Sequence, residues 1–255
     1  MIYDCFPFFN ELEILEIRLH TLDSVVDKFV IVESTKTFQS NPKPLYFQEY
    51  ASRFRQFQKK IIHIVDSKMP VADDSWLTYR HQLNCIHDGL RQCCDDDIIS
   101  ISDVDEIPNP DRVREFDPSQ KLKRLNQRMF YYYLNCETPY NWSPGYITPY
   151  AVIKNADLLD VRDRKIGGDD RLSNGGWHFS YVGGVQRIVA KLEAFSHKEY
   201  NSVEFKDPAK LLDHLKNRTD LFGRESNFQI VQIDSSFPRF IQDSVANLRL
   251  QGLVI

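Results

Sequence analysis

Ten glycines and twelve prolines in 255 residues are too few and too scattered for a fibrous or disordered chain. The five cysteines, Cys5, Cys85, Cys93, Cys94 and Cys136, are odd in number and contain no CxxC pair. Their spacing suggests neither a disulfide framework nor a zinc site, and free thiols in a reducing compartment are expected. Excess positive charge is also missing. A net charge of −4 argues against nucleic acid as a partner, since such binders carry a basic face. Long apolar runs are absent as well: "FVIV" at 29–32 and "IIHIV" at 61–65 fall far short of the roughly 20 residues a membrane helix needs. Asp4 stands where a signal peptide would carry basic residues. The expectation is a soluble, cytoplasmic protein with no membrane span.

What is present is ordinary globular composition, 42% hydrophobic and 27% charged, arranged in alternating strands and helices. A short strand at 2–6 precedes a helix over 11–22, where Leu12, Leu15, Leu19 and Leu22 mark one face. "KFVIVES", "KIIHIVD" and "DIISISD" read as further strands, separated by helices near 46–59 and over 75–94. This order predicts an α/β fold with a mostly parallel central sheet and helices on both faces. In such sheets ligands bind outside the carboxyl ends of the strands. Asp4, Glu33, Asp66 and Asp103 all stand at or near such ends.

The second half reads differently. Long aromatic strands are expected over 122–137 and 145–154, a glycine-bracketed strand in "GGWHFSYVGG", an amphipathic helix over 185–197, and a strand in "FQIVQID" before a terminal helix. No Ser/Gly-rich linker divides the chain, so a single domain, 1–255, is expected.

The motif most suited to chemistry is "ISISDVDEIPNP". Asp103 and Asp105, two residues apart past a buried strand and beside Glu106, offer hard oxygen ligands to Mg²⁺ or Mn²⁺. Such an ion would neutralise the diphosphate of a nucleotide-sugar as it leaves. An acidic turn ending a strand has the same composition; the position behind three strand–helix units favours function. In "NGGWHFSYVGG" (174–184), His178 is a candidate metal ligand and Trp177 a flat face for a sugar ring, although a core strand would use both residues too. Adjacent on a strand, they point to opposite faces. Trp142, in a Pro-flanked loop, is a candidate for acceptor binding. "EAFSHKEY", with His197 and Glu199, is the weakest of these segments.

Three stretches together resemble glycosyltransferase family 17: residues 2–45, "ISDVDEIP", and "GGWHFSYVGG" followed by "KLEAFSHKEY". The resemblance spans roughly residues 2 to 200. It implies a GT-A type fold, a UDP-sugar donor such as UDP-N-acetylglucosamine, inversion at the anomeric carbon, and a glycan or glycolipid acceptor. Residues 1–108 would bind the nucleotide-sugar and 109–255 the acceptor. Asp103 and Asp105 become the donor and metal motif, with His178 as a further metal ligand. Asp4, Glu11 and Glu33 fall on the donor side, Trp142 and Trp177 on the acceptor side. Inversion needs a carboxylate to take the acceptor's proton; Asp170 and Glu199 are the first candidates, Asp169 and Glu137 the others.

Two other readings compete. A haloacid-dehalogenase-like phosphatase also uses a strand ending in DxD, with a later acidic pair such as "GGDD" at 167–170. A sugar-binding module without catalysis would need the aromatic residues but not the carboxylates.

Overall fold

The strands of the first half are apolar on both faces, and such strands must be covered on both. The computed structural model describes residues 1–224 and 227–255. Strands β1 (Ile2–Phe8), β2 (Lys28–Ser34), β3 (Ile61–Asp66) and β4 (Ile98–Ile101) lie side by side in the order β3-β2-β1-β4, all parallel. On one face α1 (Leu12–Leu22) sets Leu15, Leu19 and Leu22 among Phe6, Phe29 and Ile31. After the single turn α2 (Tyr46–Glu49), the other face is covered by α3 (Ser75–Asn84) and α4 (Ile86–Gly89). Their Tyr79, Leu83 and Ile86 pack with Val30, Val32 and Ile99. The α/β layering expected from the sequence is therefore present.

Two helices differ from expectation. The segment over 46–59 is α2 followed by a 3₁₀ turn, Ala51–Phe57, kinked at Phe54. The one over 75–94 stops at Asn84 and resumes only for α4.

Strands of the second half join the same sheet. After β5 (Glu106–Pro108) and α5 (Pro110–Arg114) come β6 (Lys123–Tyr131), β7 (Cys136–Trp142) and β8 (Tyr146–Pro149). Then follow α6 (Tyr150–Ile153), α7 (Leu158–Arg162), β9 (Arg171–Ser180), α8 (Gly184–Ala194), α9 (Pro208–Asn217), β10 (Gln229–Ile230) and α10 (Arg239–Leu250). Strand β8 runs antiparallel to β4 and carries the sheet on through β6, β7 and β10, giving the order β10-β7-β6-β8-β4-β1-β2-β3. The expected long strands are broken. The first ends where Tyr132 takes a φ of 68°, and the second turns helical after Pro149. Of "FQIVQID" only Gln229–Ile230 is strand. No helix among the described residues is long and apolar enough to cross a membrane.

Strand β9 lies between β6 and the short β5, parallel to the first and antiparallel to the second. The close approach depends on Gly176. Its φ is 139°, and a Cβ there would sit 2.1 Å from the Ile107 carbonyl oxygen. The pairing sets His178 opposite Glu106 and lets Phe179 N–H donate to the Asp105 carbonyl at 2.8 Å. A core-type strand is thereby stitched to the acidic loop.

Candidate active site

The loop 102–106 leaves the carboxyl end of β4, the innermost parallel strand, and its shape is imposed from behind. Fully buried Arg18 donates to the carbonyl oxygens of Asp103 (2.6 Å), Val104 (3.2 Å) and Glu106 (3.1 Å) and to Ser102 Oγ (2.8 Å). Its other donors go to both oxygens of Asp4, each at 2.7 Å. Asp4 thus faces inward with no exposure. This corrects its assignment to the donor: it anchors the arginine that moulds the loop.

In front of the loop lies a cavity of about 530 Å³. Of the candidate site residues, Asp103, Asp105, His178, Trp142 and Glu11 border it, together with Glu106. Sequence reasoning missed the cations around them: Lys36, Lys43, Arg162, Arg164, Lys191 and Arg224. Arg162, from the end of α7, donates to Asp103 Oδ2 at 2.7 Å and to both oxygens of Glu106 at 2.6 and 3.0 Å. Tyr79 on α3 donates to Asp103 Oδ1 at 3.0 Å. Lys191 on α8 reaches Asp105 Oδ2 at 2.6 Å. Trp142 donates its indole N–H to Glu106 and lies against the His178 ring, centroids 5.1 Å apart.

The two acids of the DxD therefore stand in different fields. Burial, with Glu106 and Asp105 adding to it, pushes the Asp103 carboxyl up to about 6 despite Arg162. Burial also disfavours ionised Asp105, but Lys191 and His178 outweigh it and hold that carboxyl well below the usual range. Asp105 in turn raises Lys191 against burial. Burial opposes Glu106 ionisation too, and Arg162 reverses it.

A divalent ion fits part of the expected ligand set. Asp105 Oδ2 and His178 Nε2 stand 3.5 Å apart, close to the roughly 3 Å between neighbouring ligands of an ion with 2.0–2.1 Å bonds. His178 is buried, and its Nδ1 has no hydrogen-bond partner among the described residues. Asp103 does not form a three-ligand cluster with them; Arg162 and Tyr79 hold its carboxylate, as Lys191 holds Asp105 Oδ2.

Other expected residues stand elsewhere. Trp177 is buried on the opposite face of β9 among Phe130, Phe179 and Phe237, its indole N–H donating to the Ser236 carbonyl at 3.0 Å. It is a core residue rather than a sugar platform, as strand alternation requires once His178 faces the cavity. Glu33 is buried, accepting from Phe47 N–H at 2.9 Å, His63 at 3.2 Å and Lys43 at 3.5 Å. It reaches the cavity only through Lys43. Asp170 is 79% exposed and paired with Lys123, while Glu199 pairs with His197. Asp169 is tied to Arg164 and Arg171, and Glu137 to Arg128. None of these four borders the cavity. The carboxylates that do so without a close cation are Glu11, which accepts from Asn10 N–H, and Asp163, 3.9 Å from Lys165.

The family described as glycosyltransferase family 17 matches residues 1–229. The human β-1,4-mannosyl-glycoprotein 4-β-N-acetylglucosaminyltransferase is 34% identical over 117 residues, covering 41% of this chain and 21% of that protein. Its counterpart from Rattus norvegicus matches with the same identity and coverage, so the matched segment spans about a fifth of the length of these curated relatives. Among solved structures, a mannosyltransferase from Pyrobaculum calidifontis in complex with GDP-Man and Mn²⁺ aligns with a TM-score of 0.43 and 12% identity, over 84% of this chain and 69% of that one. Glucosyl-3-phosphoglycerate synthase from Mycobacterium tuberculosis aligns at 0.37 and 12%, over 70% of each chain. The chain belongs to glycosyltransferase family 17.

Proposed function

We propose that this family 17 member is an inverting GT-A type transferase that moves N-acetylglucosamine from UDP-N-acetylglucosamine to a glycan or glycolipid acceptor, assisted by Mn²⁺ or Mg²⁺. The observation that carries this is the cavity at the end of β4, where the Asp103–Glu106 carboxylates meet six bordering cations and an indole. The names of the relatives support the choice of sugar. Residues 1–108 would hold the nucleotide-sugar and 109–255 the acceptor.

Each group then has a task. Asp105 and His178 would hold the ion, which when bound screens the charge of the departing diphosphate. Lys191, Arg162 and Lys43 supply fixed positive charge to the same diphosphate, so that charge developing in the transition state meets preorganised partners. Asp103, free of the ion, accepts from the donor's ribose side. Trp142 offers its ring to a sugar. Glu11 or Asp163 takes the acceptor's proton, since Asp170 and Glu199 do not border the cavity.

A phosphatase would need its second acidic pair beside Asp103, whereas Asp169 and Asp170 are bound outside to Arg164, Arg171 and Lys123. The deciding experiment incubates the protein with Mn²⁺ and a panel of UDP- and GDP-sugars, following donor hydrolysis and thermal protection. Selective hydrolysis of, or protection by, UDP-N-acetylglucosamine is expected. Phosphate release from a generic aryl phosphate, with no response to any nucleotide-sugar, would sink the proposal.

A further inference from the structure

A second group of ligand-type side chains lies at the carboxyl end of β3, apart from the cavity. Asp66 ends that strand, while His81 and Cys85, four residues apart, share one face of α3 and its last turn. One ligand atom from each of the three falls within 4.8 Å of the other two. His81 Nε2 is 3.2 Å from Asp66 Oδ1, and Cys85 Sγ is 3.8 Å from His81 Nε2. Tetrahedral zinc with Zn–N of 2.0–2.1 Å and Zn–S of 2.3 Å sets its ligands about 3.3 Å (N to O) and about 3.6 Å (N to S) apart. The two observed separations lie within about 0.2 Å of these values, and the Asp66–Cys85 ligand atoms lie within 4.8 Å of each other.

An independent observation comes from Asp66 itself. Its side chain is only 2% exposed, and Oδ1 accepts from Lys68 N–H at 2.9 Å as well as from His81. Its Oδ2 is buried with no hydrogen-bond partner among the described residues. Buried carboxylate oxygens are almost always satisfied, and an orphan calls for a water or an ion as partner. The side chains grouped with this carboxylate are an imidazole and a thiol, one borderline and one soft donor.

We infer that Asp66, His81 and Cys85 bind a zinc ion, with water as the fourth ligand. The donor set selects the ion, because thiolate with imidazole favours Zn²⁺, whereas Mg²⁺ and Mn²⁺ prefer oxygen. None of the three residues borders the cavity, so this site is separate from the one formed by Asp105 and His178. The zinc site ties the end of β3 to α3, the helix whose Tyr79 holds Asp103. The cysteine spacing alone gave no hint, because the ligands come from a strand end and a helix face that meet only in the fold.

The full chain, stripped with chelator and reloaded, tests this by zinc content per chain and by Co²⁺ absorption, where a thiolate ligand produces a charge-transfer band. One zinc per chain and a thiolate band are expected in the wild type, in Asp105→Ala and in Cys94→Ser. In Cys85→Ser the band should vanish. Zinc affinity should fall by more than about 100-fold, beyond the loss typical of outer partners of a metal ligand. His81→Gln should weaken zinc equally and decides the matter if Cys85→Ser fails to fold. Zinc should also raise the melting temperature of the wild type and not of either variant. Binding unaffected by both Cys85→Ser and His81→Gln, or no zinc retained by the wild type, overturns the assignment.

Discussion

Arg18 and Arg162 grip the 102–106 loop from opposite sides, and their surroundings differ in one respect. Arg18 and its partner Asp4 have no exposed side-chain surface at all, and every acceptor Arg18 touches belongs to the protein scaffold. Arg162 is also buried, yet its partner Asp103 keeps 32% of its side chain open to the cavity. Lys191 is similar, 23% exposed beside Asp105 at 6%. A closed pair has no capacity left for a ligand and can only hold shape. An open pair can exchange one partner for a phosphate or a hydroxyl. Asp4, inside β1, and Asp103, just past the end of β4, are both strand-borne acids, and this difference in openness separates their roles.

The largest effect should come from breaking the closed pair. Asp4→Ala leaves the Arg18 guanidinium buried without its counter-ion, and removing one member of such a pair costs about 3–5 kcal/mol. Denaturant unfolding measures it, with Asp4→Asn losing less because its amide still accepts. A midpoint unchanged by Asp4→Ala would mean that the clamp behind the loop carries no stability, and the contrast with Arg162 would dissolve.

On the open side, activity should fall as well as stability. If Lys191 serves the leaving diphosphate as proposed, Lys191→Met lowers kcat about 10²–10³-fold, the loss of one preorganised donor. Buried Asp105 also loses its main counter-ion, so unfolding should shift too. A variant that unfolds early but turns over normally would make Lys191 a scaffold residue like Arg18.

Glu33 lies between the two cases, fully buried but joined to the cavity-bordering Lys43. Because it acts through that lysine, Glu33→Gln should raise donor KM by less than about tenfold, under ~1.4 kcal/mol, with kcat nearly unchanged. That is the signature of lost uniform binding. A fall in kcat with constant KM would place Glu33 at the chemistry instead.

The fold of the first half was legible because its strands are short, apolar and separated by helices with a clear periodicity. The second half was less so. Pro149 and the left-handed Tyr132 cut strands that their aromatic content seemed to lengthen. The acids of the site were legible because a strand end places them. Lys191 and Arg162 were not, since nothing local distinguishes "VQRIVAKLEAF" from any amphipathic helix or "VRDRK" from any charged turn. They become visible only when α7 and α8 fold against the loop. Lys191 does open "KLEAFSHKEY", one of the stretches shared with the family, and that was its one available signal. Trp177 and His178 show the converse: alternation correctly set them on opposite faces, and only the β5 pairing reveals that His178 faces inward.

The smallest expected effect concerns Asp103, whose openness should appear in its titration. Burial, helped by Glu106 and Asp105, lifts its carboxyl to about 6 in the folded protein, against about 3.9 in an unfolded chain. Between those values the native state holds a proton that the unfolded state has lost. Stability from this group is therefore fully present below about 3.9 and declines as pH rises through 6. Asp103→Asn has no such proton. The melting temperature of the wild type minus that of Asp103→Asn should thus fall between pH 4.5 and 7. The change should stay below about 2–4 °C, the size of a 1 kcal/mol change in a chain of this length, because the cavity leaves the group partly solvated. Donor affinity should run the other way, weakening below pH 6 as the acceptor oxygens gain a proton. A melting difference that grows with pH would mean that Arg162 overcomes burial and locks Asp103 in the ionised form. Asp103 would then be as closed as Asp4, and the two sides of the loop would differ in nothing but position.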